Sequence, residues 1–161
     1  MRTAWRLTKT KQLRHAFDGE GARLYGGRWS SPGRRVVYVS ESLALAVLEV
    51  LVHVQDAAIL PAYSTIRVTF DDALVILVNR SSVPKNWRQS PPPPEAQAVG
   101  DAWIDAASSA ILEVPGAVVE REHNYLINPA HKDFNVVATE PAAPYESDSR
   151  LLKHRGTESE E

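Results

Sequence analysis

The chain has 161 residues, of which 43% are hydrophobic and 24% are charged. These proportions are those of an ordinary globular protein, and the length suits one domain, so a fully disordered or fibrous chain is excluded. The sequence contains no cysteine, which excludes disulfides, thiolate zinc sites, iron–sulfur clusters and a cysteine nucleophile.

Charge is unevenly distributed along the chain, although the net value is only −2. Residues 1–35 contain nine Lys or Arg against Asp18 and Glu20, a local charge of +7, and residues 36–161 carry −9. One interpretation of this local charge is a surface that attracts phosphate groups. The plainer interpretation is a basic face that contacts only solvent. The basic residues are scattered and no aromatic–basic ladder accompanies them, so direct binding of nucleic acid is not expected.

The first predicted strand, residues 35–40, is rich in β-branched side chains and follows a Ser-Pro-Gly turn. Ser40 or Ser42 can cap a helix that continues to about Val54, because this stretch is apolar except for Glu49 and one histidine. The stretch is shorter than the roughly 20 residues that cross a bilayer, so it predicts a buried helix and no membrane segment. The chain begins without an apolar signal region, and we expect a cytoplasmic, unprocessed protein.

Two further strands are predicted, one over residues 63–70, where polar and apolar side chains alternate, and one over the apolar run 73–78. Residues 81–94 predict a loop, because each proline of the run 91–94 disfavours helix in the residue before it. Helical spacing returns over residues 95–109. The predicted apolar face of this helix comprises Val99, Trp103 and Ala106 or Ala107.

The last part of the chain predicts short strands. Residues 110–114 and 118–119 flank a turn at Pro115-Gly116, residues 134–139 form a final strand, and a polar tail starts at residue 146. Strands outnumber helices and do not alternate regularly with them, so the pattern indicates an α+β fold and not a doubly wound sheet.

Glu49 places a carboxylate within an otherwise apolar helix, where burial costs free energy unless the group is paired or used. The plainer interpretation is that this helix face meets solvent or a cleft. His53 follows one turn later on the same face. A metal ion needs more ligands than these two, and no others follow at a diagnostic spacing, so no metal site is predicted.

The segment 21–30 contains a glycine pair followed directly by Arg28. Paired glycines allow close approach of the backbone, and arginine binds phosphate or carboxylate through two parallel hydrogen bonds. The segment has neither the ending of a P-loop nor the spacing of a dinucleotide fingerprint. By itself, it fits an ordinary turn with a surface arginine equally well.

Five motifs in order resemble one family, over the chain from Trp5 to Leu152. They are Trp5-Arg6, Gly26-Gly27-Arg28-Trp29, Val37-Tyr38-Val39-Ser40, Leu48-Glu49-Val50-Leu51-Val52-His53, and Val114-Pro115 leading to Asn124-Tyr125-Leu126-Ile127-Asn128-Pro129. On these residues the chain resembles the RES-domain toxins of bacterial Xre–RES toxin–antitoxin pairs. Residues 1–152 would form the RES domain and residues 153–161 a polar C-terminal tail.

The resemblance implies a fold similar to the ADP-ribosyltransferase toxins, with a mixed β-sheet core and flanking helices, and an activity that consumes NAD. Members degrade NAD, some by phosphorolysis to nicotinamide and ADP-ribose-1″-phosphate, and others are described as ADP-ribosylating a protein. By position, the resemblance implies Glu49 and Arg28 as catalytic residues. The NAD-binding positions that it implies are Arg6, Arg28, Tyr38, Glu49 and Gly116.

These residue types suit that chemistry. Breaking the nicotinamide–ribose bond leaves positive charge on the ribose, which a carboxylate such as Glu49 stabilises as it develops. Arg28 and Arg6 supply charges that do not titrate, for the pyrophosphate of NAD and for inorganic phosphate as a candidate co-substrate. Tyr38 suits a contact with nicotinamide or ribose as well as it suits a core position. On this interpretation, the basic N-terminal third draws the anionic substrate to the cleft.

Position 116 departs from the family pattern, because Gly116 stands where the family serine follows Val-Pro. Losing one hydrogen bond to a charged group costs roughly 1.5–3 kcal/mol, or about ten- to a hundredfold in rate. Gly116 therefore predicts either an attenuated enzyme or a site in which another hydroxyl or a water replaces the serine. The leading hypothesis is an NAD-degrading toxin. The alternatives are a mono-ADP-ribosyltransferase that modifies a host protein and an impaired RES-like domain that only binds its partner.

The remaining motif residues are predicted to have structural roles. Asn124 and Asn128 are assigned to a structural corner, because Asn before Pro forms turns. His123 and His131 are treated as loop residues, because nicotinamide leaves as a neutral molecule and needs no proton donor. The resemblance further implies an Xre-family antitoxin that blocks the NAD cleft, contact with DNA only through that antitoxin, and a complex of several copies.

Overall fold

A mixed β-sheet organises the computed structural model, which describes residues 1–152. Its strands are β1 (Arg2–Lys9), β2 (Val37–Ser40), β3 (Tyr63–Phe70), β4 (Val75–Leu77), β5 (Ile111–Pro115), β6 (His123–Ile127), β7 (Ala138–Thr139) and β8 (Ala143–Pro144). The α-helices of the described residues are α1 (Glu20–Tyr25), α2 (Leu43–Leu51) and α3 (Pro94–Ala106). The predicted α+β class, with a mixed sheet core and flanking helices, is confirmed.

The strands follow the order β4-β5-β6-β2-β1-β3-β7 across the sheet, and β8 also pairs with β3. The β4–β5 pair is parallel, whereas the other pairs of this sheet are antiparallel. The centre therefore joins four strands that are distant in sequence. This arrangement brings the ends of β1, β2 and β6 together beneath α2.

Successive side chains of β2 face the hydrophobic core and the cavity in turn. Val37 and Val39 are buried in a cluster that includes Phe70 of β3. Tyr38 and Ser40 point to the opposite face, as the two-residue period of a strand requires. One short strand thus contributes to the hydrophobic core with one side and to a cavity with the other.

Helix α2 begins at the predicted cap, because the Ser42 hydroxyl accepts the Leu45 backbone N–H at 3.0 Å. The helix ends at Leu51, three residues earlier than expected. Its buried residues are Leu45, Ala46 and Val47, and the last two pack with Leu7 of β1 and Tyr63 of β3. The predicted buried helix is buried on one side only, since Leu48 is 39% exposed and Glu49 faces the cavity, in agreement with the plainer interpretation of Glu49.

The strand prediction over residues 63–70 is confirmed. The run 73–78 contributes only Val75–Leu77, because the Asp71 carboxylate accepts the Ala73 N–H and starts a 3₁₀ turn. This strand lies at the edge of the sheet, where Leu77 is 62% exposed, so its apolar run does not mark a buried strand.

Three predictions for the C-terminal half need correction. The buried side of α3 consists of Ala96, Gly100 and Trp103, whereas Ala106 and Ala107 are exposed. Residues 118–119 are not a strand, because a loop that closes with a Gly116 N–H to Glu122 O hydrogen bond delays the return strand to β6. The predicted strand 134–139 is reduced to β7, because Phe134 starts a 3₁₀ turn and packs against the core.

Strand β1 and helix α1 were not predicted, and His123 lies in β6 where a loop residue was expected. The polar tail predicted from residue 146 contains a 3₁₀ turn at Ser149–Leu152, and residues 153–161 lie outside the described residues. Within residues 1–152, no helix is long and apolar enough to cross a membrane.

Candidate active site

A cavity of about 850 Å³ lies between α2, the strand ends and the glycine-pair segment. This volume falls within the range of small-molecule and cofactor sites. Polar side chains that line it include Arg6, Arg28, Tyr38, Ser40, Glu49 and Asn124. Four of the five positions that the sequence analysis assigned to NAD binding are among them, and Gly116 is not.

Glu49 projects from α2 into this cavity and is part-buried there. Its Oε1 accepts a hydrogen bond from Asn124 Nδ2 at 2.8 Å. His53 also lines the cavity, although it lies beyond the end of α2. The carboxylate is therefore fixed at one oxygen by a neighbouring strand.

Arg28 lies on the cavity wall opposite the sheet, in the segment between α1 and β2. Its Nη1 donates to the backbone carbonyls of Trp87 and Gln89 at 2.6 and 2.7 Å. Burial lowers the pKa of Arg28, and the nearby charge of Glu49 opposes that shift. Among residues 1–152 no carboxylate forms an ion pair with Arg28, so its positive charge is available to a ligand.

Arg6 is the second cation of the cavity wall, and it comes from β1. Its guanidinium donates to the carbonyls of Ala16 at 3.1 Å and Tyr38 at 2.8 Å. Desolvation lowers the pKa of Arg6 to about 10, and the charge of Asp18 opposes that shift only partly. A desolvated guanidinium that is bound only by carbonyls attracts an anion strongly.

Tyr38 holds the glycine pair against the sheet. Its hydroxyl shares a hydrogen bond with Ser30 Oγ at 2.8 Å and accepts one from the Trp29 N–H at 3.3 Å. Burial raises the pKa of Tyr38 to about 12, so the hydroxyl stays protonated. A Cβ at Gly27 would lie 2.6 Å from the Tyr38 oxygen, which explains why this position has no side chain.

Gly116 directly follows β5, and the next two residues, Ala117 and Val118, line the cavity wall. A Cβ on Gly116 would lie 2.7 Å from the Val119 carbonyl and 3.1 Å from the Glu122 carbonyl. A serine here would require the backbone of this loop to move. The glycine is thus a packing requirement of the tight 116–122 loop in this chain.

The basic residues of the N-terminal third do not all lie at the cavity, although the sequence predicted that they draw an anionic substrate to it. Of its nine lysines and arginines, Arg6 and Arg28 line the cavity. Others form ion pairs elsewhere, such as Arg2 with Asp72 and Glu113, and Arg34 with Asp101 and Asp105. Acidic residues from later segments therefore balance part of the +7 of residues 1–35, and only two of the nine bases line the cavity.

Two cavity residues escaped the sequence analysis. Asn124 was assigned to a structural corner and Ser40 only to helix capping, yet the Ser40 hydroxyl donates to Asn124 Oδ1 at 2.7 Å and Asn124 holds Glu49. A strand prediction over residues 123–127 would have placed Asn124 on the face opposite the buried Tyr125. Within residues 1–152, no group of three or more His, Asp or Glu side chains is arranged to hold a metal ion.

The fold and cavity define an α+β domain whose cleft contains the guanidiniums of Arg6 and Arg28 and the fixed carboxylate of Glu49. The model of the RES domain family matches residues 3–148, and the chain belongs to this family. It is 37% identical over 150 residues to Toxin Res of Photorhabdus laumondii subsp. laumondii, an alignment that covers 92% of this chain and 96% of that protein.

Two further relatives extend this comparison. The Prs ADP-ribosylating toxin of Sphingobium sp. (strain YBL2) is 29% identical over 154 residues, with 92% of this chain and 96% of that protein covered. Among solved structures, the M. tuberculosis MbcT–MbcA toxin–antitoxin complex contains a chain that matches with a TM-score of 0.74 at 21% identity. That match covers 89% of this chain and 84% of the other, and it confirms the fold.

Proposed function

We propose that this RES-domain protein is the toxin of a toxin–antitoxin pair and that it cleaves the nicotinamide–ribose bond of NAD. The observation that carries the proposal is one cavity in which a fixed carboxylate, Glu49, is accompanied by two guanidiniums, Arg6 and Arg28, that carbonyls hold. Relatives named Toxin Res and the 850 Å³ volume support it.

In the proposed reaction, the bond between the anomeric carbon and the nicotinamide nitrogen breaks, and its electron pair leaves with neutral nicotinamide. The carboxylate of Glu49 stabilises the positive charge that develops on the ribose. A phosphate oxygen or a water then forms the new bond to the anomeric carbon, with loss of one proton. Arg6 and Arg28 bind the pyrophosphate, and Arg28 also suits an incoming phosphate.

Mono-ADP-ribosylation of a protein is the second candidate, and the relative named Prs ADP-ribosylating toxin favours it. The same bond breaks in this reaction, but a protein nucleophile replaces phosphate or water. The impaired binding domain that Gly116 suggested receives less support, because Glu49 has a hydrogen-bond partner without a hydroxyl at position 116.

Product analysis separates these candidates. Purified protein is incubated with NAD, with and without inorganic phosphate, and the small molecules are analysed by mass. Phosphorolysis yields ADP-ribose-1″-phosphate only with phosphate, and hydrolysis yields ADP-ribose in both samples. Labelled NAD added to a cell lysate reports transfer to protein. NAD that stays intact in every sample contradicts both enzymatic proposals.

We also propose an antitoxin partner of the Xre family that covers the cavity, in a complex of several copies and with DNA bound only through the antitoxin. The fold shared with a chain of the MbcT–MbcA toxin–antitoxin complex supports a protein partner. Co-expression with a candidate Xre-type antitoxin, followed by mass measurement of the purified complex, tests the partner and its stoichiometry.

A further inference from the structure

Three side chains form a continuous hydrogen-bonded series that ends at Glu49. The Ser40 hydroxyl donates to Asn124 Oδ1 at 2.7 Å, and Asn124 Nδ2 donates to Glu49 Oε1 at 2.8 Å. An ionised carboxylate only accepts hydrogen bonds, so the nitrogen of the Asn124 amide must face Glu49 and its oxygen must face Ser40. The direction of the series therefore follows from its chemistry.

The backbone holds this series rigidly. Ser40 and Asn124 are direct partners in the antiparallel β2–β6 pairing, and both lie on the cavity face. Helix α2, which carries Glu49, starts at Leu43, and the Ser42 hydroxyl that caps it donates to Glu122 Oε2 at 2.6 Å. The start of the helix is thus linked to the residue that leads into β6, the strand that carries Asn124.

We infer that Asn124 is a positioning residue for Glu49, and that Ser40 holds the Asn124 amide in place through its oxygen; the inference rests on the proposed function. A glutamate on the cavity side of a helix has several accessible rotamers, and one hydrogen bond at Oε1 selects among them. Within residues 1–152, Oε2 has no hydrogen-bond partner, so it is the oxygen that faces the ribose. This arrangement keeps Glu49 in place without a hydroxyl at position 116.

Two alanine variants with matched controls test the inference in an NAD-consumption assay. Asn124→Ala lowers kcat about 10- to 100-fold and leaves KM for NAD nearly unchanged, because the lost bond is to a charged group at the reacting centre. Ser40→Ala has a smaller effect, about 3- to 10-fold, because the amide keeps its contact with Glu49 and loses only the hydrogen bond that holds its oxygen.

The controls remove buried side chains of the same type outside the cavity. Asn128→Ala removes a buried amide that accepts the Ala130 N–H at 3.0 Å, and Ser64→Ala removes a buried strand hydroxyl bonded to Thr10. Both controls lower the melting temperature and leave kcat unchanged. An Asn124→Ala protein that keeps wild-type kcat overturns the inference and leaves the proposed function standing.

Asn124→Asp adds a pH profile that a purely structural role would not change. The introduced carboxylate repels Glu49 at pH 8, and at lower pH the two groups share a proton that restores a donor between them. The ratio of variant to wild-type kcat therefore rises as the pH falls from about 8 to about 5.5. A ratio that stays constant over this range overturns the inference. This variant also serves if Asn124→Ala does not fold.

Crystal structures of the wild type and Asn124→Ala give a readout that does not depend on turnover. The Glu49 carboxylate occupies one position in the wild type and moves or spreads over several in the variant. An unmoved carboxylate overturns the inference. If the wild type consumes no NAD in any assay, the proposed function fails, and these two structures still decide whether Asn124 positions Glu49.

Discussion

Two groups of charged side chains in this molecule differ in what binds them. In the cavity wall, the guanidiniums of Arg6 and Arg28 donate to backbone carbonyls. Outside the cavity, Arg2 forms ion pairs with Asp72 and Glu113. Carbonyls orient a guanidinium without cancelling its charge, whereas carboxylates neutralise it. The first group is therefore prepared for an anionic ligand, and the second contributes to the fold.

The largest effect is expected for Glu49→Gln, which removes the cavity carboxylate and keeps its shape. The amide oxygen still accepts from Asn124, so the side chain stays in place, but it no longer stabilises a cation. We expect NAD consumption to fall about 10³-fold, the upper end of losses for one electrostatic contact at a reacting centre. The melting temperature should stay within about 2 °C, as for substitutions that leave packing intact.

Glu95→Gln provides the matched control, since Glu95 lies exposed in the first turn of α3 and outside the cavity. Steady-state assays and growth of cells that express each variant measure the effect. Wild-type toxicity of Glu49→Gln would contradict the assignment of the carboxylate.

Substitution of the cavity arginines tests the comparison directly. Arg6→Ala and Arg28→Ala each remove one charge-assisted contact to the pyrophosphate, worth about 1.5–3 kcal/mol, so kcat/KM for NAD should fall about 10- to 100-fold. Arg2→Ala should lower thermal stability and leave kcat/KM unchanged. Equal kinetic losses in all three variants would show that the two groups do not differ in function.

Gly116→Ser examines whether the missing hydroxyl limits activity. The Cβ would meet the Val119 carbonyl at 2.7 Å, so the 116–122 loop must shift, at a cost of about 1–3 kcal/mol. We expect a lower melting temperature and no gain in kcat. A sharp rise in NAD consumption would instead show that the glycine attenuates the wild-type enzyme.

The smallest effect is expected for Asp72→Asn, which removes the carboxylate that pairs with Arg2, and it concerns the melting temperature at low pH. Hydrogen bonds from Arg2 and the N-terminal amine lower the pKa of Asp72 from 3.8 to about 2. A lowered carboxyl pKa contributes stability above the unfolded pKa, and this contribution is lost as the pH falls from about 4 to about 2. Asp72→Asn should therefore reduce the difference in melting temperature between pH 5 and pH 2.5. An unchanged difference would contradict this contribution.

Local pattern predicted much of the scaffold. The strand over residues 63–70, the end of β2 at Ser40 and the Ser42 cap, one of two serines proposed for it, all follow from side-chain period and capping chemistry, which act over a few residues. The return strand β6 was misplaced, because a six-residue loop after Gly116 separates it from β5 and no local signal gives that length. The error also hid Asn124.

The sequence by itself determined the α+β class, the family resemblance and the candidate residues Arg6, Arg28, Tyr38 and Glu49, because these depend on residue type, order and spacing. Only the tertiary structure decided which charges are free and which are paired. Asn124 and Glu49 are 75 residues apart, and Arg2 and Glu113 are 111 apart, so each contact depends on how distant strands come together. Hydrogen bonds act over about 3 Å, a distance that chain order does not specify.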